Sequence, residues 1–164
     1  MPENREIVIN TGPLIALVAT VGNLRILEYA YKRVLVPFEV ATEILVENAG
    51  RFAAAEFAAA SWLEKVDKPI KSAPSMETTL GTGEAAVIQW ALAEKIGLVG
   101  IDEAVGRRVA RVSGLRVTGT LGILIRAKRE GVPVLLSEAI QSMRNKGIWL
   151  SRSLEASALR EAGE

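Results

Sequence analysis

Short apolar runs alternating with helix-patterned segments predict an α/β protein whose central parallel sheet is covered on both faces. Three observations carry that prediction. The runs Ile7-Val8-Ile9 and Leu98 to Ile101 lack the polar alternation of a half-exposed strand. Prolines and glycines fall where helices start and stop, at Pro13, Pro37, Gly97 and Gly114. The strand-helix rhythm recurs along most of the chain, with no internal repeat.

Glu6 to Asn10 reads as the first strand, and Thr11-Gly12-Pro13 turns the chain into a helix bearing Leu14, Leu17 and Val18. A second helix is predicted near Leu24 to Tyr31, then a strand over Arg33 to Val36. Pro37 opens a helix through about Glu47, with Val40, Ile44 and Leu45 at three- and four-residue steps. Beyond Asn48 and Gly50, an Ala-rich helix runs to about Ala60 and a short strand covers Trp62 to Val66. The polar, proline-containing stretch Asp67 to Thr79 reads as a surface loop. Gly83 to Ile96 is a helix with Val87, Trp90, Ala91 and Leu92 on its apolar face, stopped by Gly97. The strand Leu98 to Ile101, a helix from Asp102 to about Ser113, the strand Leu115 to Thr118 and a helix from Gly119 to Glu130 complete the pattern. The remainder, about 135–164, is an amphipathic helical extension carrying Ile140, Met143, Ile148, Trp149 and Leu150, which packs on its own domain or on a second copy. Residues 1–164 are read as one domain, the size that one core supports.

Composition narrows the chemistry. With no cysteine there is no disulfide, thiolate-zinc site or thiol nucleophile, and the cytoplasm is the expected location. With no histidine there is no imidazole base or ligand, so a hydrolase of this sequence works through carboxylates, which favour Mg²⁺ or Mn²⁺ over softer metals. The longest apolar stretch, Pro13 to Gly22, is far short of the ~20 residues of a membrane span, so no membrane role is expected. Asn10 to Pro13 interrupt the apolar run that a signal peptide would need. Net charge is +1 but uneven: residues 1–100 hold 9 basic and 12 acidic groups, residues 101–164 hold 11 and 7. The second part either presents a basic face to a polyanion or simply solvates its helices.

Ligands of open parallel sheets bind beyond the carboxyl ends of the strands, which selects Asn10 after the first strand and Asp102 after the Leu98 to Ile101 strand. Glu84 sits in the first turn of its helix and Glu43 two turns beyond Pro37. Each has a plainer reading. Asp102 would cap the helix it precedes, Glu84 would complement a helix dipole, and Asn10 would cap the turn before Pro13. Glu39, Glu43 and Glu47 form a row that ordinarily marks a solvated face. Together, however, three carboxylates brought to one end of a sheet repel one another unless protons or cations neutralise them, and a divalent metal does so.

The segment Ile7-Val8-Ile9-Asn10-Thr11-Gly12-Pro13-Leu14-Ile15 resembles the opening motif of PIN-domain proteins, in which an Asp ends the first strand. Gly81 to Ile88, Ile101-Asp102-Glu103 through Arg107, and Thr118 to Gly122 resemble later motifs of a PIN-like branch, in order along nearly the whole chain. The resemblance implies a three-layer αβα fold and a Mg²⁺- or Mn²⁺-dependent ribonuclease, many relatives being toxins of toxin-antitoxin pairs. It places the metal-site residues at Asn10, Glu43, Glu84 and Asp102, the last three as the catalytic acids. Beside them, Glu103 would partly compensate for the charge absent at Asn10, Thr11 and Thr120 would orient ligands or water, and Arg107 or Arg108, about one helical turn after Asp102, would either meet an RNA phosphate or serve an ordinary surface or carboxylate-pairing role. Asn10 departs from the family's Asp. Two functions follow: an endoribonuclease on single-stranded or structured RNA, paired with an antitoxin protein, or a catalytically impaired PIN fold that binds nucleic acid or protein. A homodimer is expected from the same resemblance.

Overall fold

The computed structural model describes residues 5–47, 52–71 and 74–164. Five strands, β1 (Glu6–Ile9), β2 (Arg33–Val36), β3 (Glu64–Lys65), β4 (Leu98–Gly100) and β5 (Arg116–Thr118), form one parallel sheet in the order β3-β2-β1-β4-β5. The α/β reading and its three-layer arrangement hold. Ile7, Val8 and Ile9 are wholly buried, as a strand covered on both faces requires.

Around the sheet run α1 (Thr11–Val21), α2 (Arg25–Ala30), α3 (Phe38–Thr42), α4 (Phe52–Ala59), α5 (Pro74–Thr79), α6 (Thr82–Ala93), α7 (Ala104–Val112), α8 (Thr120–Arg129), α9 (Leu136–Asn145) and α10 (Arg152–Glu161). One group gathers α1, α2, α8 and α9; the other gathers α3, α5, α6 and α7. The C-terminal extension packs on its own domain: α9 lies against α1 and α8, and α10 against α8 and α9. Arg144 on α9 is paired with the buried Glu155 on α10, and the Glu164 carboxylate accepts from the Leu136 and Ser137 amides at the start of α9, 2.7 and 3.1 Å away. No helix among the described residues is long and apolar enough to cross a membrane.

Three local expectations need correction. The segment read as a loop from Asp67 to Thr79 ends in α5, whose single apolar residue, Met76, is too little for a periodic signal. The helix opened by Pro37 does not run uniformly to Glu47: from Glu43 to Glu47 it is a π-helix, so the three- and four-residue periodicity fails there. The Trp62 to Val66 strand is paired only over Glu64–Lys65. The predicted stop at Asn48 and Gly50 lies outside the described residues.

The strand order fixes where a ligand would go. From β1 the chain steps outward through β2 and β3, then returns to β1's other side for β4 and β5. The reversal point lies between β1 and β4, where a parallel sheet opens a crevice beyond its carboxyl ends. Gly100 keeps that junction narrow, since a Cβ there would lie 3.1 Å from Ile9 and 3.2 Å from Ile7.

Candidate metal centre

Asn10 leaves β1 at the reversal point, and its amide donates to the Gly100 carbonyl at 2.9 Å, tying the ends of β1 and β4 together. Its side chain is 6% exposed and makes no capping bond to α1, although Asn10 occupies the N-cap position. The Oδ1 atom is buried without a hydrogen-bond partner among the described residues. Leaving such a carbonyl oxygen unpaired costs about 1–3 kcal/mol, so the capping role is overturned and an electrophilic partner is called for.

A cleft of about 320 Å³ opens in front of this oxygen, with Thr11, Glu39, Glu43, Glu84 and Glu103 on its walls. Glu43 is held by the Thr11 hydroxyl, which donates to its Oε2 at 2.8 Å. The π turn begins at this glutamate, a distortion that recurs at functional sites because it re-aims a side chain within a helix. A Cβ on Gly83 would lie 3.0 Å from Glu43 Oε2 and 3.3 Å from Asn10 Oδ1, so both oxygens converge on space that only glycine leaves open. Gly106 does the same for Glu84, whose Oε2 would overlap any Cβ there.

Glu84 stands in the first turn of α6 and is partly buried. Burial holds its carboxyl above the usual carboxylate range, and the charges of Glu103 and Glu43 push it further the same way. Among the described residues neither Glu84 nor Glu103 is in an ion pair. The cleft therefore concentrates negative charge in a confined space.

Asp102 is placed differently. It follows β4 at the same end of the sheet, but its carboxylate turns to α8, accepting from the Thr120 amide at 2.8 Å and the Thr120 hydroxyl at 2.6 Å. It caps α8 rather than α7, whose N-cap is Glu103. It is absent from the cleft lining and stands just behind it, 3.8 Å from where a Cβ on Gly12 would sit. The Arg107 guanidinium donates to the Ile101 carbonyl at 2.8 Å, and burial lowers its pKa. Arg108 is exposed.

The donor set fits a hard divalent cation in kind: every group is an oxygen, one is a buried orphan, and glycine leaves the space before it empty. It is incomplete in number. Among the described residues no three His, Cys, Asp or Glu side chains form a group able to hold a metal ion. With Asn10 in place of an acid and Asp102 bound to Thr120, the cleft is short of charged ligands. The structure thus unites Asn10, Thr11, Glu43, Glu84 and Glu103 and sets Asp102 and Thr120 apart as a neighbouring pair. Sequence reading missed Glu39, whose Oε1 accepts from the Ile70 amide at 2.8 Å while Oε2 is buried without a hydrogen-bond partner among the described residues. Its place in a Glu39-Glu43-Glu47 row concealed it, because the π turn that breaks the row leaves no mark in the sequence.

A family model described as PIN domain matches residues 6–164. No curated protein and no solved structure matches the chain. With the family's motifs in order on a parallel sheet and its acidic cleft at the strand-order reversal, the chain belongs to the PIN-domain family.

Proposed function

We propose that this chain is a divalent-metal-dependent endoribonuclease with weakened metal affinity, acting on single-stranded or structured RNA. The observation carrying the reading is the partnerless, buried Asn10 Oδ1 facing the same small space as Glu43 Oε2. Asn10, Glu43 and Glu84 would hold the cation, with Asp102 joining if it releases Thr120. A bound Mg²⁺ or Mn²⁺ would supply positive charge to a phosphodiester oxygen and lower the pKa of a water.

The remaining roles belong to the chain's own groups. Thr11 fixes the direction of Glu43, and Thr120 does so for Asp102. Gly12, Gly81 and Gly83 keep the cleft floor free of side chains, so a sugar-phosphate backbone approaches without steric conflict. Without a cation, the acids repel phosphate, and RNA enters only once their charge is offset.

The test is RNA cleavage with and without Mn²⁺ or Mg²⁺, run with Glu84→Gln, Asp102→Ala and Asn10→Asp. Metal-dependent cleavage abolished by Glu84→Gln supports the reading. A second reading, a non-catalytic PIN fold that binds nucleic acid or protein, is favoured by the missing charge at Asn10 and would be established by metal-independent binding without cleavage. Pairing with an antitoxin and homodimerisation are further proposals, tested by co-expression with an adjoining small reading frame and by light scattering at micromolar concentration.

A further inference from the structure

Beside Asp102 lies a second groove of about 530 Å³, lined by Gly119 to Gly122 at the start of α8, by Arg107 and by Trp149. Trp149 follows α9 and is 76% exposed, an unusual state for the largest apolar side chain when it borders a concavity. Arg107 also lines an adjoining hollow with Arg108 and Arg111, one turn apart along α7. None of these three arginines is in an ion pair among the described residues. Arg107 thus shares the groove of the exposed indole with Asp102, and Arg108 and Arg111 stand in the hollow that meets that groove at these two residues.

We propose that this groove seats a single-stranded RNA segment leading into the cleft, with a nucleobase stacked on Trp149 and flanking phosphates on Arg108 and Arg111. The assignment rests on the ribonuclease reading for its substrate and adds the surface that holds it. Charge selects the occupant: an apolar protein helix would bury the indole but leave the arginines unmatched, whereas single-stranded RNA supplies a flat π-face and anions together. A duplex hides its bases within the helix, so the site discriminates against it.

The experiment is fluorescence anisotropy of a short fluorescein-labelled oligouridylate, in chelator so that metal binding and cleavage play no part. Trp149→Ala should weaken binding about tenfold, the effect of losing one base-aromatic stack. Trp149→Phe should recover most of it, and Tyr29→Ala, which removes an aromatic ring remote from the groove, should change nothing. Arg108→Ala and Arg111→Ala should each flatten the salt dependence, while Trp149→Ala leaves its slope unchanged. A duplex of the same length should bind more weakly. Native-like affinity in Trp149→Ala, or no binding by the native protein at low salt, overturns the groove and leaves the cleavage reading standing. Loss of a native dimer in Trp149→Ala with RNA affinity intact would identify an interface between copies instead. Trp149-dependent binding without any metal-dependent cleavage keeps the groove and removes the nuclease.

Discussion

The two ends of the sheet are built from the same residue types and solve opposite problems. At the amino ends of the strands, Arg33 is shared by three carboxylates: Glu64 at 2.6 Å, Glu94 at 3.4 Å and Glu6 at 3.5 Å. At the carboxyl ends, Glu39, Glu43, Glu84 and Glu103 line one cleft with the orphan oxygen of Asn10, and no basic residue among the described residues lines it. The first end gathers its carboxylates on a shared cation, which lowers the free energy of the fold. The second leaves Glu84, Glu103 and the Asn10 oxygen unpaired among the described residues, the condition in which a site gains most from a cation. Position in the topology, more than composition, separates framework from function.

The largest effect should come from restoring the missing charge. Asn10→Asp adds a carboxylate beside Glu43 and Glu84, so without metal it should destabilise the protein slightly through like-charge repulsion. With Mn²⁺ at about a hundred times its dissociation constant, the variant should gain roughly 2.7 kcal/mol, and the native protein less at the same concentration. Thermal melts with and without Mn²⁺ measure both, and an equal metal response in the two proteins would remove Asn10 from any metal site. Glu84→Gln should do the reverse, stabilising the metal-free protein a little while abolishing its response to Mn²⁺.

Next in size is the steric emptiness of the cleft. Gly106→Ala should cost about 1–3 kcal/mol, because the new methyl would overlap Glu84 Oε2 and lie 2.9 Å from Ile101 Cγ2. Helix propensity alone predicts the opposite, a gain approaching 1 kcal/mol. Gly83→Ala meets only the tips of Glu43 and Asn10 and the Val40 side chain at 3.0–3.6 Å, so its loss should appear chiefly in the metal response. Chemical denaturation separates the variants, and a more stable Gly106→Ala would show that Glu84 is free to move aside.

These contrasts also mark what the sequence discloses. The central strands β1, β2 and β4 each leave a run of apolar residues, and β2 takes the predicted span, because burial on both faces acts on most residues of a central parallel strand, whereas the edge strand β3 is only Glu64–Lys65. Asn10 and Asp102 were legible as strand-end residues for the same topological reason. Which of them faces the cleft was not, since Asp102 is drawn aside by Thr120 from a helix eighteen positions later, a contact that no local pattern encodes. The π turn at Glu43 and the burial of Glu39 Oε2 were hidden likewise, because both follow from tertiary packing.

At the paired end, Arg33→Met should destabilise by about 1 kcal/mol, the scale of partly exposed ion pairs, by leaving Glu6, Glu64 and Glu94 without their common cation. Added salt should shrink that difference, as these groups are accessible to counterions. A difference that persists undiminished at high salt would mean that Arg33 acts through its packed aliphatic stem instead.

The smallest effect concerns acid, and it tests whether the paired end is held by charge. The hydrogen bonds from Arg33 hold the Glu64 carboxyl below the ordinary value of 4.5. A depressed folded-state pKa means that the unfolded chain takes up the proton first, so the stabilisation is fully present above about pH 4.5 and disappears as pH falls through the folded value. Glu64 is half exposed, and solvent screening should keep the effect under about 1 kcal/mol. Melting temperatures of the native protein and Glu64→Gln should therefore differ by a constant amount near neutrality and converge in acid below pH 4.5. A gap that stays constant into strong acid would assign the contribution of Glu64 to hydrogen-bond geometry alone, and the distinction between a charge-paired end and a charge-loaded end of this sheet would lose half its support.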